Sequence, residues 1–109
     1  MQHSDRAGLA DFLRGRRSVR QPEDVGLPRG RRRRTEGLRR EEVALLCHMS
    51  TDYYARLERG TGPTPSEQML AAIAQGLHLT LAERDHLFRL AGHHPPTRGA
   101  SSDHISPGL

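Results

Sequence analysis

At 109 residues the chain is long enough for one small domain with tails, and its 34% hydrophobic and 4% aromatic content permits only a thin, aliphatic core. The formal charge of +4 hides an asymmetry: residues 1–60 hold fourteen arginines against nine acidic residues, and residues 61–109 hold three against four, so the first half faces something anionic and the second reads as scaffold. A single cysteine, Cys47, excludes an internal disulfide. No apolar run approaches the roughly 20 residues of a membrane span, and the N-terminus lacks the apolar segment of a signal peptide, so a soluble cytoplasmic protein is expected.

Leu9, Phe12 and Leu13 share a helical face, which predicts a first helix over residues 6–17. Residues 18–37 are a long connection. Within it Pro22 suits the first position of a short helical turn, Pro22-Glu23-Asp24-Val25. Gly26, Pro28 and Gly30 then break regularity. The run Arg31-Arg32-Arg33-Arg34 repels itself and does not pack unless it meets anions. All seventeen basic residues are arginine, a bias that GC-rich coding also produces, so an arginine alone does not mark a contact.

Val43, Leu46 and Cys47, with Ala44 beside them, predict a second helix over 39–47. His48-Met49-Ser50 is too short for anything but a tight turn. Ser50 suits the N-cap of a third helix over 51–59, whose inward face is Tyr54 and Leu57. Gly60 stands where a left-handed stop belongs. After the loop of Gly62, Pro63 and Pro65, Ser66 caps a fourth helix over 67–76, buried through Met69, Leu70, Ile73, Ala74 and Leu77, with Gly76 expected as its stop. Thr80 and Glu83 have the spacing of a capping box for a fifth helix, which packs through Leu87, Phe88, Leu90 and Ala91 and ends at Gly92. From His93 onward Pro, Gly, Ser and His dominate, and a linker or tail is expected. No segment alternates with period two, so the expected fold class is all-α, a five-helix bundle without a sheet.

Helices two and three, with their short turn, have the pattern of a helix-turn-helix over residues 39–59. Ala44 is the small residue at the crossing, Met49 plugs the turn, and Tyr54 and Leu57 anchor the second helix. Thr51, Asp52, Ala55 and Arg56 are left on the outer side. The stretches Gly37–Ala44 and Ser50–Gly60 resemble the Xre/Cro-repressor superfamily with its λ-repressor-like DNA-binding fold. Pro22–Pro28, the Arg-rich approach, Tyr53-Tyr54, Gly62-Pro63, Pro65–Gln68 and His86–Ala91 narrow the resemblance to the actinobacterial MmyB-like regulators, over about residues 9–92. Two positions depart from the pattern: His48 stands where the turn usually has glycine, and Cys47 where alanine is usual. A histidine at positive φ is uncommon but tolerated; an altered or slightly strained turn is expected.

The resemblance implies sequence-specific binding of double-stranded operator DNA to regulate transcription in a bacterial cytoplasm. The recognition helix, 51–59, enters the major groove. Thr51, Asp52, Ala55 and Arg56 are the expected base contacts, by a thymine methyl, a cytosine amino group and a bidentate guanine contact. Arg31, Arg32, Arg33, Arg34, Arg39, Arg40, Tyr53, Arg59 and Thr61 are the expected backbone contacts. Asp52 and Arg56 also have ion-pair spacing. Residues 1–92 are the expected DNA-binding domain. Residues 93–109 are expected to lead to a PAS-like ligand-binding domain absent from this chain, through which alone a small-molecule effector acts. A homodimer is expected in the full-length protein or on DNA.

A different class, a protein-interaction module such as an antitoxin or adaptor, uses the same helical fold, but it needs a more apolar outer face on the third helix. No enzyme is expected: the sequence holds no nucleophile motif and no glycine-rich phosphate loop. No metal or other cofactor is expected, because His93-His94 lacks partners at ligand spacing. Cys47 reads as an inert core thiol.

Overall fold

Each helix in the computed structural model, which describes residues 4–27 and 37–97, begins and ends where its local chemistry dictates. Five α-helices follow one another: α1 (Arg6–Val19), α2 (Arg40–Leu46), α3 (Thr51–Arg59), α4 (Glu67–Gly76) and α5 (Leu81–Leu90), with a 3₁₀ turn, Pro22–Val25, between α1 and α2. Among the described residues there is no strand.

The N-termini are held by side chains that satisfy otherwise orphaned amides. Asp5 accepts from the Gly8 amide, Ser50 from Tyr53, Ser66 from Met69, and Thr80 from Glu83. Glu83 returns the bond to the Thr80 amide at 2.8 Å and completes the expected capping box. Helix α2 lacks a side-chain acceptor at Arg39. Instead Glu42 reaches back to the Arg39 amide at 2.7 Å. Helix α1 runs two residues past its expected end at 17, and α2 is trimmed to 40–46.

Four C-termini close in the same way, with two backbone bonds and one residue at positive φ. Gly60 and Gly92 serve α3 and α5 at φ 71° and 82°. His48 and His78 serve α2 and α4 at φ 60° and 54°. After α2 the Met49 amide reaches Ala44 O at 3.0 Å and the His48 amide reaches Leu45 O at 3.3 Å. After α4 the equivalent bonds are Leu79 to Ala74 at 2.9 Å and His78 to Gln75 at 3.2 Å. The turn at His48 therefore keeps the left-handed geometry for which glycine is usual.

Gly76 corrects the expected stop. It lies within α4 and has no positive φ; the stop is His78. Gly76 is small for another reason: a Cβ there would meet Cys47 Sγ at 2.8 Å and Leu46 O at 2.9 Å. Missing a side chain, it lets α4 lie against the end of α2. Gly37 has both requirements at once, φ 80° and a would-be Cβ only 2.5 Å from Ser18 O.

One core joins all five helices: Leu9 and Leu13 of α1, Val43 and Ala44 of α2, Tyr54 and Leu57 of α3, Leu70, Ile73 and Ala74 of α4, and Leu87 and Phe88 of α5. Cys47, Leu38 and Leu77 fill it from the connections. Helix α1 packs on α3 and α5, α2 on α3 and α4, and α4 on α5. His93–Thr97 has no regular structure but is tied down: a His93 ring nitrogen lies 3.1 Å from Pro65 O, and Arg84 donates to Pro96 O at 3.4 Å. The rest of the expected tail, 98–109, lies outside the described residues, as do Pro28 and Gly30.

Candidate nucleic-acid interface

Helices α2 and α3 are linked by Cys47–Ser50, and Met49 is half-buried against the core beneath that turn. Ala44 is buried where α2 meets the rest of the bundle. On α3 the residues divide by face: Tyr54, Leu57 and Glu58 are buried, while Thr51, Asp52, Arg56 and Arg59 are exposed. Ala55 and Tyr53 are half-buried at the boundary, and burial pushes the Tyr53 phenol up from its ordinary range.

The outer face of α3 carries alternating charge. Arg56 Nη2 donates to Asp52 Oδ2 at 3.0 Å, one turn away. Asp52 also lies in the first turn, where a negative charge complements the helix dipole. Both side chains remain largely in water, so the pair is weak and separates at small cost. The Thr61 hydroxyl turns back onto Arg56 O at 3.4 Å, while its residue stays exposed beside the end of α3. Arg39 and Arg40 are exposed where α2 begins. The structure thus brings Thr51, Asp52 and Arg56 together on one face. Arg39 and Arg40 stand at the start of α2, and Arg59 and Thr61 at the far end of α3. Arg31, Arg32, Arg33 and Arg34 lie outside the described residues.

A family described as a helix-turn-helix domain matches residues 29–87, more than half of the chain. The chain belongs to that helix-turn-helix family. Searches of curated proteins and of solved structures gave no match. The helix-turn-helix fold is consistent with a DNA-binding, regulatory role.

The arginine excess of the first half is spent differently from the simple expectation of an anion-facing surface. Arg16 and Arg20 close over Glu83 at 2.7 and 3.6 Å. Arg20 also donates to Leu77 O and His78 O, both at 2.8 Å, and so satisfies carbonyls at the end of α4. Arg14 donates to Asp11 and to the Glu58 carbonyl. These arginines tie α1 to α3, to the end of α4 and to α5, because carbonyl and carboxylate groups at helix ends attract guanidinium groups as readily as phosphates do.

Glu58 is the residue that sequence reasoning missed. It sits on the inner face of α3, 1% exposed. Arg17 approaches it as a fork, Nε to Oε2 at 2.6 Å and Nη2 to Oε1 at 2.9 Å. Arg40 Nε reaches the same Oε1 at 3.0 Å. Arg17 Nη1 goes on to Leu38 O at 3.0 Å, locking the approach to α2. Burial pushes the Glu58 carboxyl up, but Arg17, the Tyr54 hydroxyl and Arg40 together outweigh it, and the group rests below its ordinary value. Glu58 in turn raises the Arg17 guanidinium. The Tyr54 hydroxyl is buried beside this carboxylate, and burial, with the neighbouring Glu58, pushes the phenol well up. The signal was present in the sequence: positions 54, 57 and 58 share one helical face, so an acid at 58 points inward and requires a cation from another helix.

Cys47 is fully buried, and burial alone pushes its thiol up to about 12. Among the described residues, no group of three or more His, Cys, Asp or Glu is placed to hold a metal ion. His93 Nδ1 lies 3.7 Å from a Glu67 carboxylate oxygen. No helix among the described residues is long and apolar enough to cross a membrane.

Proposed function

We propose that the chain binds double-stranded DNA sequence-specifically and regulates transcription, with α3 seated in the major groove. The observation that carries this reading is the split of α3, with Thr51, Asp52 and Arg56 outward and Tyr54, Leu57 and Glu58 buried. A groove-reading helix needs hydrogen-bonding groups on a rigid outer edge, and these have matching base partners. Arg56 offers a bidentate contact to guanine, Asp52 accepts from cytosine N4, and Thr51 and Ala55 meet a thymine methyl. Arg39, Arg40, Tyr53, Arg59 and Thr61 surround them as phosphate contacts, and the run Arg31–Arg34 adds backbone or minor-groove contacts. An adaptor or antitoxin surface would favour an apolar outer face, and that of α3 is polar.

In this reading the protein is an MmyB-like regulator, with its DNA-binding domain in residues 1–92. Residues 93–109 are the tail toward a PAS-like domain that receives the effector. Two copies bind half-sites about 34 Å apart.

The test is fluorescence anisotropy across a salt series, with a duplex selected by the wild-type chain from a random pool and a shuffled control. The selected duplex is expected to bind at least ~10³-fold more tightly at physiological salt. Arg56→Ala is expected to cost about 1–3 kcal/mol on that duplex and to relax one base position. Absence of binding to any duplex at low salt refutes the proposal.

A further inference from the structure

Glu58 holds two guanidinium groups with one carboxylate, and they are not equivalent. Arg17 matches it with two bonds and is largely covered, its side chain 21% exposed. That fork already neutralises the carboxylate with good geometry. Arg40 adds a third bond, through Nε alone, with its side chain 49% exposed. Among the described residues, Arg40 Nη1 and Nη2 have no partner. The cluster therefore carries one positive charge more than Glu58 needs, and that surplus sits on the exposed arginine. Two guanidinium groups sharing Oε1 also repel one another, and an anion on the outer edge of Arg40 relieves that repulsion.

We infer that Glu58 is a positioning residue for DNA binding: from inside α3 it grips Arg40 by Nε and so fixes the outer Nη edge to receive one backbone phosphate. The inference rests on the DNA-binding reading above. The physical gain is preorganisation. A free arginine loses rotamer freedom when it docks on a phosphate, and a side chain already held has less to lose. The grip also couples two helices of the motif, because the carboxylate is on α3 and the guanidinium on α2.

Lysine separates positioning from charge. Its single ammonium nitrogen does not bond Glu58 by an inner nitrogen while presenting a planar outer pair. In the anisotropy assay with the wild-type-selected duplex, Arg40→Lys is expected to weaken binding about tenfold with an unchanged salt slope, since the charge is kept. Arg40→Ala is expected to weaken it further and to reduce the slope by about 1. Neither is expected to shift the thermal midpoint by more than a few degrees, because Arg17 still neutralises Glu58.

In a Glu58→Gln background, which keeps an acceptor oxygen but loosens the grip, Arg40→Lys is expected to cost little. Circular dichroism checks that this background folds; if it does not, the Arg40→Lys arm decides alone. Wild-type affinity in Arg40→Lys overturns the inference, as does an equal loss in both backgrounds. A wild-type chain that selects no duplex refutes the DNA reading itself, a distinct result.

Discussion

Gly76→Ala tests how α4 meets the helix-turn-helix. In an unobstructed helix, replacing glycine by alanine gains roughly 0.8–1 kcal/mol. Here the new Cβ would lie 2.8 Å from Cys47 Sγ, 2.9 Å from Leu46 O and 3.0 Å from Leu46 C. Heavy-atom pairs of this kind rest at about 3.5–4.0 Å, so α4 must retreat by several tenths of an ångström. Cys47 is fully buried and Leu46 O is backbone, so neither swings aside. Overpacking of this kind costs about 1–3 kcal/mol. With rigid neighbours the upper part of that range applies, and after the helix gain a net loss of roughly 1–2 kcal/mol remains.

For a domain of this size that lowers the thermal midpoint by roughly 5–15 °C. Gly15→Ala is the internal control. Gly15 lies within α1, and nothing stands within 4 Å of its would-be Cβ. That substitution is expected to raise the midpoint by several degrees. Thermal unfolding followed by far-ultraviolet circular dichroism reads both. A gain in Gly76→Ala as large as that in Gly15→Ala would refute the close α2–α4 approach.

Three further outcomes are expected. His48→Gly and His78→Gly should each stabilise the fold by about 0.5–1 kcal/mol in urea unfolding, because glycine removes the left-handed strain at φ 60° and 54° at some cost in unfolded-chain entropy; a loss at either site would mean that the imidazole contributes more than its backbone costs. Cys47, with its thiol pushed up to about 12 by burial, should resist alkylation in native buffer at pH 8 and react at once in denaturant; rapid native labelling would contradict the burial. Glu58 and Glu83 both titrate below their ordinary range in the folded chain, Glu58 because Arg17, Tyr54 and Arg40 together outweigh burial and Glu83 chiefly through the Thr80 amide. Their stabilisation is therefore complete above the unfolded carboxyl value of about 4.3 and is lost as pH falls through the folded values. The midpoint should be flat from pH 7 to about 5 and then fall, less steeply in Glu83→Gln, and an unchanged acid slope in that variant would count against the assignment.

The sequence by itself determined the five helices, the caps at Ser50, Ser66 and Thr80, the stops at Gly60 and Gly92, and the helix-turn-helix register. The bonds that set these span three to five residues, Ser50 to Tyr53 or Met49 to Ala44, and so are written in local spacing. The inward faces of α3 and α4 were legible for the same reason, since Tyr54, Leu57, Leu70 and Ile73 recur at helical intervals. What only the tertiary structure decided was the partner of each group that looks across the bundle. Arg17 meets Glu58 over 41 positions and Arg16 meets Glu83 over 67, and no spacing rule connects such pairs. Gly76 was misread on that account. Its smallness answers to Cys47 and Leu46 on another helix, whereas the stop it was expected to provide falls to His78. The same holds for the outer arginines: local pattern gives their charge, and three-dimensional packing decides which are tied to carboxylates and carbonyls and which remain exposed, because an ion pair forms wherever the fold brings opposite charges within reach.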